Sequence, residues 1–271
     1  MVLPQIHFPG KIDKLAKFSK RQKLVIGVAF LSSLLFISEY ILGKQAIYIV
    51  LLLSILTDLF ILWVLRGDLK DNFFLQVFIL PFFFSLSFGL FYLLIPARFL
   101  SRVTMTLLYA LGLYSLSLSQ NIFVVSSIRT IALLSSARTV SFVITLLSLF
   151  FLINVLFTVH LNVFLTIFFT FILSLPLIHQ SIWTYTLEKN LATNAIWSVV
   201  LTFCLLEITS LLWFWPSSPT IVALFLTGFF YIIVGLSHVW FEKKLFKGVL
   251  WEYVWVAVVV FSVLVAFTSW A

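Results

Sequence analysis

A polytopic bundle of transmembrane helices, all-α, is the fold class the sequence predicts, and three observations predict it. Hydrophobic residues make up 63% of the 271 and charged residues only 10%, against roughly 25% charge in soluble domains. Too few charges remain to cover a water-facing surface. The apolar residues come in blocks close to the roughly 20 needed for a helix to cross ~30 Å of hydrocarbon. The short segments of alternating polarity expected of barrel strands are absent, which leaves helices, whose backbone groups satisfy one another in lipid.

The chain divides into a basic N-terminal segment, residues 1–23, and a single transmembrane domain, residues 24–271, of nine spans. In the N-terminal segment the stretch KIDKLAKFSKRQK spreads cations around a helix that lies on anionic headgroups, each Lys or Arg contributing ~1 kcal/mol there. The first span is Leu24–Leu42. Its Ser38-Glu39-Tyr40 region lacks the small-x-small pattern of a cleaved leader, so a retained helix is expected. The second, Ala46–Leu65, carries Asp58 and stops at Arg66. The third, Phe73–Ile95, contains Pro81. The fourth and fifth, Val103–Val125 and Thr139–Val159, follow from arithmetic. Between Val103 and Val159 lie 57 residues whose only charges are Arg129 and Arg138, and two spans use roughly 40.

The sixth span, Val163–Ile182, contains Pro176. Proline withholds an N–H and frees a carbonyl, so Pro81 and Pro176 are each expected to kink or break a helix. The seventh, Ala195–Trp215, carries Glu207 and the single cysteine, Cys204. One cysteine excludes a disulfide framework and any CxxC metal or redox motif, so Cys204 reads as a small packing residue. The eighth, Ile221–Phe241, places Gly228 and Gly235 seven apart on one face, where small residues let helices approach closely. The ninth is Val249–Trp270.

Charge and tryptophan agree on orientation. With the N-terminus inside, the inner segments hold fourteen of the 17 Lys and Arg, and the outer segments only Lys44, Arg98 and Arg102, as the positive-inside rule requires. Eight of the nine Trp, all but Trp255, fall within two residues of a span end, the depth that an amphipathic indole prefers. This topology also accounts for the net charge of +8, so the cations do not imply nucleic acid.

Ionisable groups within spans are the candidates for function, because they are costly in hydrocarbon. Glu39, His160, His238 and Glu252 lie near the faces and can reach water. Asp58 and Glu207 lie deeper, and each must be protonated, paired or facing an aqueous cavity. A proton-coupling or substrate-contacting carboxylate and a hydrogen-bonded structural acid are both open readings for them. His179 with Asp58, His238 and Glu252 could form an inner-leaflet constellation, but none shows ligand spacing such as HExxH. No P-loop, GxSxG or paired-Asp motif occurs, and neither a metal nor another cofactor is implied.

The stretch SSIRTIALLSSARTV, residues 126–140, repeats a serine- and threonine-flanked arginine after nine residues. Nine residues on a helix is half a turn out of phase, so Arg129 and Arg138 could not share one cavity inside the membrane. They fit a hairpin between the fourth and fifth helices, with Ser135 or Ser136 capping the second. The simple reading is two snorkelling anchors. The sharper one is an anionic headgroup site formed by Arg129, Arg138, Ser127 and Ser136.

The segment QNIFVVSSIRTIALLSSARTVSFVITLL, with WPSSPTIVALFLTGFFY later, is similar to a group of uncharacterised bacterial polytopic membrane proteins. The resemblance covers most of the chain and implies a bacterial inner membrane; it carries over no catalytic or binding residues. Three function classes are therefore carried forward. The first is a small transporter or a solute- or lipid-binding membrane subunit, which expects Asp58 or Glu207 to line a cavity. The second is a non-enzymatic accessory or scaffold protein of an envelope complex, with a membrane-protein partner. The third is a lipid-modifying enzyme with a pocket around His179, Asp58 and the arginine hairpin.

Overall fold

The computed structural model describes residues 19–42, 46–69, 75–95, 98–126, 132–187 and 194–268. Among these residues there are nine helices and no strand: α1 Lys20–Leu42, α2 Ala46–Leu69, α3 Gln76–Leu94, α4 Phe99–Ser126, α5 Leu134–Thr158, α6 Val163–Thr186, α7 Ala195–Trp213, α8 Pro219–Phe241 and α9 Lys247–Ala266. All nine are long and apolar enough to cross a membrane. The protein is a multi-pass membrane protein.

The helices coincide with the nine expected spans but several run past the hydrophobic limits. The fourth begins four residues earlier and takes in Arg102, and the fifth begins five residues earlier and takes in Arg138. Hydropathy marks where hydrocarbon ends, whereas the helix continues as long as each N–H finds its i−4 carbonyl. That extension corrects the expected cap on α5. Its N-cap is Leu133, with no side-chain cap, and the Ala137 N–H donates to the Leu133 carbonyl at 3.0 Å. Ser135 and Ser136 therefore lie inside the first turn. Neither proline breaks its helix, since α3 runs through Pro81 and α6 through Pro176. Losing one bond is tolerated where neighbouring helices hold both sides of the ladder.

Consecutive helices pack antiparallel. Two of them form the centre: α3 touches α2, α4, α5 and α6, and α5 touches α3, α4, α6 and α8. Between them lies an aromatic seam in which Phe84 stacks on Tyr109 at 5.5 Å and Phe88 meets Phe151 edge-on at 4.9 Å. Beside it, Ser85 Oγ lies 2.9 Å from the Tyr109 hydroxyl and 2.8 Å from Thr57 Oγ1, so three buried hydroxyls satisfy one another across α2, α3 and α4. Close approach is set by glycine. A Cβ on Gly89 would lie 2.6 Å from Val50, and one on Gly228 would lie 2.6 Å from Val260. Gly228 and Gly235 do share a face, and that face receives α9 through Val260 and Tyr253. The periphery consists of α1 on α2 and α4, α7 on α6 and α8, and α9 on α8.

Candidate functional site

The up-and-down topology gathers Lys20, Lys23, Arg66, Arg138, Lys243, Lys244 and Lys247 at one end of the bundle, here called the basic end, and Arg98 and Arg102 at the other. The densest polar network of the basic end is built on Arg138, which the extension of α5 brings against the end of α6. Its Nε donates to the Thr184 carbonyl at 3.0 Å and its Nη2 to the Tyr185 carbonyl at 3.1 Å. The last carbonyls of a helix lack intrahelical donors, and the guanidinium fork supplies two. Its Nη1 reaches Glu242 Oε1 at 3.4 Å, while Lys244 Nζ holds Glu242 Oε2 at 2.9 Å. The guanidinium also lies 4.6 Å from the Tyr185 ring centroid. One arginine thus joins α5, α6 and the end of α8.

His238 sits just inside this network and is buried. Its Nε2 lies 3.1 Å from Ser181 Oγ, its ring stacks on Tyr185 at 4.0 Å, and Phe142 meets it edge-on. His179 is two residues from Ser181 on α6 and so faces the opposite way; its Nδ1 lies 3.1 Å from Ser198 Oγ on α7. The two histidines serve different helix pairs. Asp58 stands on α2, which packs on α1, α3 and α4, and Glu252 is exposed on α9. The structure does not bring the four-residue constellation together. Among the described residues no group of three or more His, Cys, Asp or Glu could hold a metal.

The deep carboxyls differ from each other. Asp58 is the thirteenth of 24 residues in α2, at the middle of the helix. It is half-buried, and its Oδ1 has no hydrogen-bond partner among the described residues. Glu207 is the thirteenth of 19 residues in α7 and is exposed. It lies on a stripe made by Ile196, Val200, Phe203, Leu211 and Phe214, all exposed, and no hydrogen bond to its carboxyl is formed among the described residues. Of the repeat, Ser136 is exposed two residues before Arg138 on α5 and so faces another way; Ser127 and Arg129 lie outside the described residues. Cys204 is half-buried on α7.

Two cavities open at the bundle ends. One of ≈ 260 Å³, away from the basic end, is lined by Leu156, His160, Thr166, Trp213 and Trp215 among others. The other, ≈ 280 Å³, opens at the basic end between α7, α8 and α9. Neither is lined by Asp58 or Glu207. Sequence reasoning missed Glu242 and Tyr185 as partners of Arg138, because both stand at helix ends where polar residues are ordinary. It also missed Gln120 and Gln180, fully buried on α4 and α6 with unpartnered amide atoms. A glutamine within an apolar span was the available signal.

Fold and site together define a multi-pass helical membrane protein whose hydroxyls mostly bond back to their own helix, with a smaller set of polar groups joining helices at the basic end. The chain belongs to the family DUF5656, described as a protein of unknown function, whose model matches residues 25–267. No curated protein and no solved structure matches the chain.

Proposed function

We propose that the protein is a non-catalytic subunit of a membrane assembly, seated in the bacterial cytoplasmic membrane with its N-terminus inside, and that it docks a second copy of itself along the exposed face of α7. Glu207 is the observation that supports this reading. It lies three residues past the middle of α7, about 5 Å along the axis, on an otherwise apolar stripe. A charged side chain at such a depth costs ~2.5–3.5 kcal/mol on insertion scales.

A second copy brings no cation to that depth, because the Lys and Arg of α1 to α9 stand towards helix ends or in turns. What it does bring is Glu207 itself. A neutral carboxylic acid both donates and accepts, so two of them related by a two-fold axis satisfy one another. Hydrogen bonds between membrane helices contribute ~0.6–2 kcal/mol, which is enough to select a face that lipid would cover equally well.

In this setting Ser127, Arg129 and Ser136 would meet anionic headgroups at the connection between α4 and α5, while the donors of Arg138 serve α6 and Glu242. Transport of an apolar or amphiphilic solute is the second reading, supported by the unpartnered Oδ1 of Asp58. Lipid modification has less support, since His179, Asp58 and Arg138 line neither of the two cavities described.

The test measures self-association in lipid vesicles by single-molecule photobleaching, with cross-linking through Leu211→Cys in a Cys204→Ser background. The wild type should dimerise, and Glu207→Leu should weaken the dimer by about 3–30-fold. Glu207→Gln should hold it, because an amide also donates and accepts. A wild type that stays monomeric, or a Glu207→Leu variant that dimerises equally well, refutes the docking.

A further inference from the structure

We propose that the groove at the basic end between α7, α8 and α9 binds one anionic glycerophospholipid, with its acyl chain against the aromatic wall and its phosphate on Lys243 and Lys247. The wall is Trp197 from α7 with Trp240 and Phe241 from α8. The indoles lie 5.1 Å apart and Trp240 meets Phe241 edge-on at 5.2 Å. Leu236 lines the inner part of the groove and Leu250 of α9 the far side. At ≈ 280 Å³ it is well above the ~150 Å³ apolar cavity that accepts a benzene. It holds a length of alkyl chain rather than a rotamer's worth of slack.

Chemistry at the rim identifies the occupant. The turn from α8 to α9 carries Lys243, Lys244 and Lys247, all exposed. Lys244 is engaged by Glu242, and that carboxylate is further drawn to Arg138. Lys243 and Lys247 have no acidic partner among the described residues. Lys243 is in the left-handed region, φ 56°, which turns the chain where α8 ends, and the same turn supplies Leu245 to the groove lining.

An apolar slot at the basic end, whose lining includes Leu245 from the turn that carries Lys243 and Lys247, is complementary to one kind of molecule: a chain with a phosphate at its head. Basic pockets between helices take such headgroups, and near an anionic surface each cation adds to the preference. A zwitterionic lipid fills the slot equally well but brings its own cation to the rim. The arginine of the neighbouring network does not compete, because its donors already serve α6 and Glu242.

The experiment uses the full-length protein in nanodiscs of phosphatidylcholine containing one fifth phosphatidylglycerol, with lipid retained through purification counted by native mass spectrometry. The wild type should retain phosphatidylglycerol above its bulk fraction. Lys243→Gln/Lys247→Gln should lower the ratio of bound phosphatidylglycerol to bound phosphatidylcholine at the site by about 5–30-fold. Leu236→Trp, which fills the groove and leaves both lysines in place, should lower it comparably. Should Leu236→Trp not fold, the surface lysine pair still decides the matter. Retention at the bulk ratio in the wild type overturns the site, and so does unchanged enrichment in the lysine double variant. Because this readout is bound lipid and not self-association, it stands or falls separately from the α7 interface.

Discussion

Removing Arg138 tests whether the basic end is held by a guanidinium or merely decorated with one. Its side chain is 18% exposed, so its bonds are only partly screened. Hydrogen bonds from a charged donor contribute ~1.5–3 kcal/mol each. Taking the lower end for the Thr184 and Tyr185 carbonyls gives about 3 kcal/mol. The Tyr185 ring adds ~0.5–1 kcal/mol. The Glu242 contact, long at 3.4 Å with a carboxylate 31% exposed, adds ~0–1 kcal/mol.

Arg138→Ala should therefore destabilise the fold by about 3–4 kcal/mol once water reaching the freed carbonyls is allowed for. At ~2–4 °C per kcal/mol for a chain of this size, Tm in detergent should fall by about 6–15 °C. Arg138→Lys keeps one donor direction and should fall between. Glu242→Gln should cost no more than ~1 kcal/mol. The assay is thermal unfolding followed by tryptophan fluorescence, with dodecyl sulfate titration as a check. An Arg138→Ala protein within about 2 °C of wild type would refute the argument. Equal losses for Arg138→Ala and Glu242→Gln would show that the ion pair, not the capping of α6, carries the effect.

Two further outcomes are expected. Asp58→Leu should leave the stability unchanged or raise it by ~1–3 kcal/mol, because it removes a carboxyl oxygen with no partner among the described residues; a clear loss in the same titration would show that the carboxyl is held by a partner. Gly228→Ala should loosen α9 by ~1–3 kcal/mol, and by more than Gly235→Ala, since Gly228 meets the stiff β-branched Val260 while Gly235 meets a tyrosine ring that can swing. Cross-linking between cysteines placed on α8 and α9 reads both, and the reverse order would overturn the reasoning.

The spans were legible because hydrocarbon imposes length and apolarity on every crossing segment, and nothing tertiary has to be known. Helix ends were less so. Arg138 fell outside the fifth hydrophobic span because charge marks the end of hydrocarbon, yet the backbone ladder had begun four residues earlier. Gly228 and Gly235 were read correctly since their spacing alone puts them on one face. For Glu207 the depth could be counted from the sequence but the direction it faces could not. The apolar residues of α7 surround the helix so evenly that no face is marked as inward. His179 and His238 looked like potential partners for the same reason: proximity to one membrane face says nothing about which helix a side chain addresses.

Of the residues of α9, Leu264 alone is buried, and this has a consequence for how the molecule opens. A membrane helix that separates from its neighbour exposes no unsatisfied backbone, because its amides remain paired within the helix. The easiest excursion of this fold is therefore a tilt of α9 away from α8, hinged at the turn that holds Lys243, with the eight-helix body undisturbed. The least firmly seated element is thus the hinged wall through which anything entering between α7 and α8 from the bilayer would pass.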